Sequence, residues 1–363
     1  MCIRDSGCAV VYTDKGTGTQ LALSGERSYQ IDGLIVTSKG LQKLNEATAL
    51  TVASNKHVVQ KHPYSQANPE HHWGDFVLDA TRYGLAVIAQ QKGLVREDIK
   101  VIAASVSNGG GAVLRAAEVD DHGLIDAVVA AEPQINIAHQ YDLKDASGVK
   151  TIVSKPLIEL SINMSLYEPC AALDTSLNSA PFKMNTLLIQ GLQQQRCSAL
   201  REHGFLGSND LTAQTQESLS KIKQLHIEPA ALQLSHLNTL ANMWAAINHT
   251  YSNSFLKKSA SDNLCQSAMS AFTAQGEPRS LSDQEQSQMF ALSNGIAPSN
   301  GVELAYTDEH NRVKSRMVSA PGFGIESQIC FKQLLDNNEF ILAVEQIIAT
   351  PENNKRPTII LHG

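Results

Sequence analysis

The stretch Val101-Ile102-Ala103-Ala104-Ser105-Val106-Ser107-Asn108-Gly109-Gly110-Gly111-Ala112 decides the fold. It has the pattern of a short apolar strand, a sharp turn of small residues and the start of a helix. A serine at such a turn, with small residues two before and two after it, is typical of a nucleophile elbow, usually written G-x-S-x-G. Around Ser107 these two places hold Ser105 and Gly109, so a serine replaces the first glycine.

The spacing has a physical reason. A strained turn lets strand and helix pass closely, so the residues flanking the serine must be small. The serine then lies at a helix N-terminus, where backbone N–H groups and the helix dipole stabilise developing negative charge. We therefore predict Ser107 as a nucleophile, the N–H of Asn108 as an oxyanion donor, and Ser105, Gly109 and Gly110 as the elbow that supports them.

Two other interpretations stay open on spacing alone. The serines and glycines also fit a plain tight turn between strand and helix. Gly109 and Gly111, with Glu132 at the end of the next predicted strand, also fit a dinucleotide-binding loop, in which an acid follows about 20 residues on. The third glycine position of that motif holds Leu114, which argues against a dinucleotide site.

Strand and helix patterns alternate around this segment. The predicted elements are a strand at 8–13, a helix at 73–91 ended by Lys92-Gly93, a strand at 100–104, a helix at 110–119 and a strand at 125–131. Such alternation indicates right-handed βαβ units, and therefore an α/β fold with a mostly parallel sheet.

The composition changes after Pro133. Residues 155–350 are rich in Gln, Asn, Ser, Leu and Ala, with helical spacing at 211–227, 232–247 and 325–348. We predict an α/β-hydrolase-like core that starts in residues 1–150. A large, mainly helical insertion at 151–325 would act as a lid over the carboxyl ends of the strands. Residues 326–363 would return to the core, with a strand at 357–361.

Overall composition limits the function classes. The 363 residues include 29 Lys+Arg and 36 Asp+Glu, for a net charge of −7, and 42% are hydrophobic. The apolar content supports a packed core and excludes wholesale disorder. The acidic balance argues against nucleic acid as a partner, and no apolar run is long enough to predict a membrane span.

The cysteines do not predict a metal site. They stand at positions 2, 8, 170, 197, 265 and 330, without CxxC or zinc-type spacing. The last four lie in one half of the chain, which permits one or two disulfides if the protein is exported, with buried free thiols as the alternative. Glu70-His71-His72 looks metal-like, but adjacent histidines diverge from one another, so we expect no metal.

Both ends of the chain look cut. The first six residues, MCIRDS, resemble translated adaptor sequence and lack the apolar stretch of a signal peptide. The other end, His362-Gly363, stops where a loop should follow a strand. We therefore expect an internal fragment that lacks its natural N-terminus.

Four segments together resemble the D-(−)-3-hydroxybutyrate oligomer hydrolases. The segment Ser105 to Ala112, followed by Leu114-Arg115-Ala116-Ala117-Glu118, looks like the nucleophile region of that family. The other three are Tyr12-Thr13-Asp14-Lys15-Gly16-Thr17-Gly18, the stretch from Lys61-His62 to Trp73-Gly74, and Arg356-Pro357-Thr358-Ile359-Ile360-Leu361-His362-Gly363. They follow the order of the family along the whole chain.

The resemblance implies a serine esterase with an α/β-hydrolase-like fold. It would hydrolyse short 3-hydroxybutyrate oligomers, such as dimers and trimers, to 3-hydroxybutyrate, with Ser107 as nucleophile, no cofactor and an extracellular location. In this class the acid and then the histidine follow the serine in chain order. Both are expected beyond Gly363, so the chain alone is expected to be inactive.

The alternative is another carboxylic ester hydrolase, of the tannase and feruloyl esterase type. Those relatives usually pair a cysteine with the nucleophile segment, and no cysteine lies near Ser107 in the sequence. A dinucleotide-binding domain is the remote alternative.

Four further residues are candidates for lining the site. Asp14 and Lys15 follow a predicted strand at its carboxyl end, where ligands bind in open α/β sheets. His62 lies in the loop before the first helix, and His362 fits the family pattern as part of the rim of the site. The competing explanations are an Asx-type turn at Asp14 and a solvated or capping role for His62.

Overall fold

The computed structural model describes residues 7–13, 21–22, 27–29, 35–37, 57–58, 62–137, 140–146, 148–177, 187–227, 229–282, 285 and 302–362. In chain order the strands are β1 (Leu21–Ala22), β2 (Arg27–Tyr29), β3 (Ile35–Thr37), β4 (Ile102–Val106), β5 (Ala127–Ala131), β6 (Gln140–Asp145), β7 (Gly148–Val153), β8 (Ser267–Phe272), β9 (Pro278–Arg279), β10 (Val302–Thr307), β11 (Val313–Arg316) and β12 (Thr358–Leu361). The helices are α1 (Trp73–Lys92), α2 (Asn108–Glu118), α3 (Leu157–Ala171), α4 (Leu187–Glu202), α5 (Leu211–Lys223), α6 (Pro229–Leu240), α7 (Met243–Phe255), α8 (Ile325–Leu334) and α9 (Asn338–Glu345).

The chain folds into two compact units. The first comprises Met1–Gly18, Asn68–Leu157 and Ala343–Gly363, and the second comprises Thr19–Ala67 and Ile158–Leu342. The second unit thus reaches beyond the predicted insertion of 151–325 at its carboxyl end, because Ile325 and Ile329 of α8 pack into its core. The prediction that it acts as a lid stays a prediction.

A parallel sheet of order β12-β5-β4 forms the centre of the first unit. Val106 pairs with Ala131, and Ala131 pairs with Leu361, so the carboxyl ends of the three strands lie side by side. On one face the sheet buries Ala103, Val128 and Ala130 against α1 and α2. The strands β4 and β5 pair in parallel with α2 between them in the chain, while the predicted α/β-hydrolase-like fold with a mostly parallel sheet stays a prediction.

The helix α1 shows why sequence signals worked well in this unit. It was predicted at 73–91 and ends at Lys92, where Gly93 takes a left-handed conformation with φ 68°. At its start, a Cβ on Gly74 would lie 2.9 Å from the backbone carbonyl of Arg115 in α2. The backbone of α2 at Arg115 therefore lies directly against Gly74 of α1, where a larger residue would not fit.

The predicted strand at 8–13 is wrong. The segment pairs with no strand in the described structure, and Tyr12 is 89% exposed. Val11 instead packs against α1, with its Cγ2 atom 2.6 Å from the place a Cβ on Gly84 would take. An apolar run alone does not distinguish a sheet strand from an extended segment lying on a helix.

The predicted mainly helical insertion at 151–325 contains a sheet as well as helices. Helices α3 to α7 fill the first part, and an antiparallel sheet of order β11-β10-β8-β9 follows at 267–316. All six residues of β8 are buried, so this strand lacks the alternation that would have revealed it. The predicted helices at 232–247 and 325–348 are each interrupted, the first at Asn242 with φ 54°.

Much of the polar composition of the second unit lies in its interior. The guanidinium of Arg196 is fully buried and donates to the carbonyls of Ser165, Leu166, Gly322 and Phe323. Hydrogen bonds of this kind help a segment rich in Gln, Asn and Ser to fold compactly.

His249 is a second buried polar centre of this unit. Its ring lies 2.9 Å from both the Tyr64 hydroxyl and the Ser267 hydroxyl, and burial lowers the pKa of His249 to about 3. The imidazole is therefore neutral, and both of its nitrogens are bonded within the protein.

Two disulfides cross-link the second unit. Cys170 of α3 is bonded to Cys197 of α4, and Cys265 is bonded to Cys330 of α8. The sequence permitted one or two disulfides among these cysteines without fixing their pairing. None of the helices in the described ranges is both long and apolar enough to cross a membrane.

Reduction should destabilise the second unit. The Cys170–Cys197 bond closes a loop with a sequence separation of 27, and a loop of this size is worth about 3 kcal/mol of unfolding free energy. We expect Cys170→Ser/Cys197→Ser to lower the melting temperature of this unit by about 6–12 °C, measured by calorimetry. Cys8, which is exposed, serves as the internal control, since a thiol reagent should modify it without reductant. Modification of Cys170 or Cys197 in the folded, unreduced protein would contradict the pairing.

Candidate active site

Ser107 lies at the turn between β4 and α2, and its backbone has a conformation that residues other than glycine rarely adopt. Its backbone has φ 57° and ψ −123°. Its N–H donates to the Ala131 carbonyl at 2.9 Å, and its carbonyl accepts from Gly111 N at 3.1 Å and from Gln134 N at 3.0 Å. A strained residue of this kind persists only where surrounding structure holds it, and such residues cluster at functional sites.

The three glycines after Ser107 each meet a close neighbour. A Cβ on Gly109 would lie 2.0 Å from Ser105 Oγ, and one on Gly110 would lie 3.0 Å from the Ala131 carbonyl oxygen. A Cβ on Gly111 would lie 1.8 Å from the carbonyl oxygen of Gln134. Because these three residues are glycines, α2 can lie close to both β4 and the chain that follows β5.

The same contacts bear on the dinucleotide interpretation. The side-chain-free faces of Gly109, Gly110 and Gly111 are filled by Ser105, by Ala131 with Pro133, and by Gln134. In a dinucleotide loop the glycine face must instead admit a pyrophosphate. These glycines serve internal packing, so the structure argues against a nucleotide at this turn.

Ser107 is exposed and next to a helix N-terminus. The helix α2 begins at Asn108 and is 11 residues long. Its first N–H groups have no carbonyl partner within the helix, which makes this end attractive for negative charge. Among the described residues of the first unit, no histidine is hydrogen-bonded to Ser107 Oγ. The roles of Ser107 as nucleophile and of Asn108 as oxyanion donor stay predictions that this geometry suits.

A second strained residue, Glu132, follows the neighbouring strand β5. It has φ 44°, and its N–H donates to the Leu361 carbonyl at 2.8 Å. Its Cα lies within about 7 Å of Ser107 N, because the Ser107 N to Ala131 O distance is 2.9 Å and three covalent bonds complete the path. Glu132 therefore belongs to the same edge of the sheet as Ser107.

His362 meets Glu132 at this edge. Its Nδ1 atom lies 3.0 Å from Glu132 Oε2, with the side chains 77% and 50% exposed. The sequence singled out His362 for the rim but considered Glu132 only as part of a dinucleotide motif. Their pairing follows from the parallel register of β5 and β12, which the sequence pattern alone did not give.

The roles of the other predicted lining residues stay predictions. His62 belongs to the second unit, is 1% exposed, and packs edge-on against Tyr251 with ring centroids 5.2 Å apart. Asp14 and Lys15 lie outside the described residues. Within the ranges described above, no group of three or more His, Cys, Asp or Glu side chains could hold a metal ion.

The site is a strained serine at a turn between a parallel strand and a helix. Comparison with known proteins then gives the family. The model of the family described as 3HB-oligomer hydrolase (3HBOH) matches residues 4–363, and the chain belongs to that family.

Curated relatives agree with the family match. A protein named D-(−)-3-hydroxybutyrate oligomer hydrolase from Burkholderia pseudomallei (strain 668) is 31% identical over 392 residues, which cover 98% of this chain and 55% of that protein. A protein of the same name from Burkholderia mallei (strain SAVP1) is 30% identical over the same shares. The chain thus spans about half the length of these relatives. No solved structure matches it.

A double substitution tests the close contact below the serine. We expect Gly109→Ala to destabilise the first unit by on the order of 1–3 kcal/mol, because its Cβ would overlap the side chain of Ser105. Ser105→Gly removes that side chain, so the double variant should recover most of the loss. Urea unfolding of the four proteins of this cycle measures the coupling. Additive losses would show that Gly109 and Ser105 do not limit one another.

Proposed function

We propose that the protein carrying this chain is a serine esterase that hydrolyses ester bonds in short 3-hydroxybutyrate oligomers. The observation that carries the proposal is the strained, exposed Ser107 at the carboxyl edge of a parallel sheet, next to the N-terminus of α2. The family and the names of the relatives supply the substrate class. The whole activity is proposed, since the chain corresponds to 55% of the relatives' length.

The chemistry begins with Ser107. A general base takes the proton from its hydroxyl while Oγ attacks the ester carbonyl carbon. The N–H groups at the start of α2, with that of Asn108 first, stabilise the tetrahedral oxyanion. The alcohol half leaves with the proton, which leaves a 3-hydroxybutyryl ester on Ser107. Water then attacks this ester and releases 3-hydroxybutyrate, restoring the free hydroxyl.

The disulfides support export. Disulfides form and persist in oxidising compartments, and both described pairs lie in the second unit. We therefore propose an extracellular or other oxidising location for this protein, where short soluble oligomers would be its substrates.

The same cysteines bear on the tannase and feruloyl esterase alternative. That type usually pairs a cysteine with its nucleophile segment. Four of the described cysteines, Cys170, Cys197, Cys265 and Cys330, are bonded to one another in the second unit. They have no thiol left for such a pairing, which favours the oligomer hydrolase proposal.

Substitution of the serine tests the proposal. In the protein expressed over its whole reading frame, Ser107→Ala should lower kcat on 3-hydroxybutyrate dimer by at least about 10³-fold, because it removes the hydroxyl that attacks the ester. Circular dichroism should show an unchanged fold. Ser105→Ala is the matched control, since its hydroxyl lies under Gly109, and it should keep more than half of the activity. Equal activity in Ser107→Ala and the parent protein would refute the mechanism.

A separate prediction concerns the rim formed by Glu132 and His362. Because Glu132 and His362 are paired at the end of the sheet where Ser107 lies, His362→Ala should raise KM for the dimer by about three- to tenfold and change kcat less. His122→Ala is the matched control, since His122 is exposed and precedes β5 at the opposite edge of the sheet. Steady-state kinetics on both variants would measure this, and an unchanged KM in His362→Ala would remove the pair from the substrate site.

A further inference from the structure

The elbow is supported from one side by the chain that follows β5. Pro133 lies against Gly110, and a Cβ on Gly110 would come within 3.0 Å of Pro133 Cα. One residue further, Gln134 donates its N–H to the Ser107 carbonyl at 3.0 Å and places its own carbonyl oxygen against Gly111. The position of Gln134 therefore fixes the backbone on which the Ser107 hydroxyl stands.

A buried carboxylate holds this supporting chain in place. Glu70 is 5% exposed, and its Oε1 atom accepts from Gln134 Nε2 at 3.2 Å and from Asn136 Nδ2 at 2.8 Å. Asn136 is itself buried, and its Oδ1 accepts from Leu157 N at 2.9 Å. The Asn136 carbonyl also accepts from Ala349 N at 2.6 Å.

The backbone around Glu70 is also held in place by its neighbours. It lies in the short 3-10 turn Pro69–His72 that leads directly into α1. Four residues on, Gly74 packs against the Arg115 backbone of α2, the helix that begins next to Ser107. The residue after Glu70, His71, has its Nδ1 atom 2.9 Å from the Gln346 carbonyl oxygen. This contact connects the turn to the segment before β12.

We infer that Glu70 is a positioning residue that braces the Ser107 elbow through Gln134 and Asn136. In the sequence, Glu70-His71-His72 was considered as a pattern resembling a metal site. The structure gives the acid a different use, because one oxygen gathers two amide donors from the chain that contacts Ser107 and Gly111. Through these bonds Glu70 holds the backbone of the elbow in place. The effect of this on catalysis rests on the proposed function.

The design of the test follows from the two hydrogen bonds that Glu70 Oε1 accepts. Glu70→Gln keeps an oxygen that can accept both amide protons, whereas Glu70→Leu keeps the volume and removes the acceptor. Glu118→Leu is the matched control. Glu118 is a buried acid at the other end of α2, bonded to Arg115 and Thr350. Gln134→Ala removes one donor from a half-buried side chain and provides a milder variant should Glu70→Leu fold poorly.

The first readout is hydrogen exchange, which reports elbow geometry without any assumption about chemistry. In Glu70→Leu we expect the amides of Gly111 and Gln134 to exchange about tenfold faster or more, since their bonds to the Ser107 carbonyl loosen. Gln134→Ala should accelerate the same amides less, and Glu70→Gln and Glu118→Leu should leave them near the parent rate. Unchanged exchange in a folded Glu70→Leu or Gln134→Ala, or equal acceleration in Glu118→Leu, would overturn the brace.

The second readout is the rate at which a fluorophosphonate modifies Ser107. Glu70→Leu should lower this rate by about tenfold to a hundredfold, since small displacements of a reacting group have effects of this size, and Glu70→Gln should restore it to within about threefold of the parent. A parent rate in folded Glu70→Leu would overturn the positioning role. If exchange changes as expected but neither the parent nor any variant is modified at Ser107, the brace is upheld and the proposed function fails.

Discussion

The backbone conformation of Ser107 is the constraint on which the first unit depends. With φ 57° and ψ −123° it is held by three hydrogen bonds, to Ala131, Gly111 and Gln134. Each partner imposes a further requirement. The bond to Ala131 needs β5 beside β4. The close approach of Pro133 needs glycine at position 110, and that of Gln134 needs glycine at position 111. One strained residue thus specifies strand order, helix packing and the path of the chain after β5.

The sequence predicted this part well, because its signals are local. Small residues around Ser107, the apolar runs at 100–104 and 125–131, and the Gly93 cap each act within a few residues. What the sequence did not predict depends on distant contacts. Glu70 meets Gln134 and Asn136 across more than sixty positions, and Glu132 meets His362 only through parallel pairing of two strands. No periodicity contains that information.

The second unit shows where composition misleads. Gln, Asn and Ser at helical spacing indicated a mainly helical insertion. In the structure Asn248, His249 and Ser267 are buried, and Asn248 donates to Ser165 while His249 is bonded to Ser267. The strand β8 carries small residues buried on both faces, so neither alternation nor β-branched runs reveal it. Polar residues satisfied inside a core and short two-sided strands resemble exposed helix when only the sequence is considered.

The central claim is that Ser107 carries the acyl group during turnover. Its most direct test is to treat the protein expressed over its whole reading frame with a fluorophosphonate and to map the adduct by peptide mass spectrometry. The account predicts one adduct, on Ser107, that is prevented by prior incubation with 3-hydroxybutyrate trimer. An adduct on Ser105 or on another residue, with Ser107 unmodified in an active protein, would contradict it.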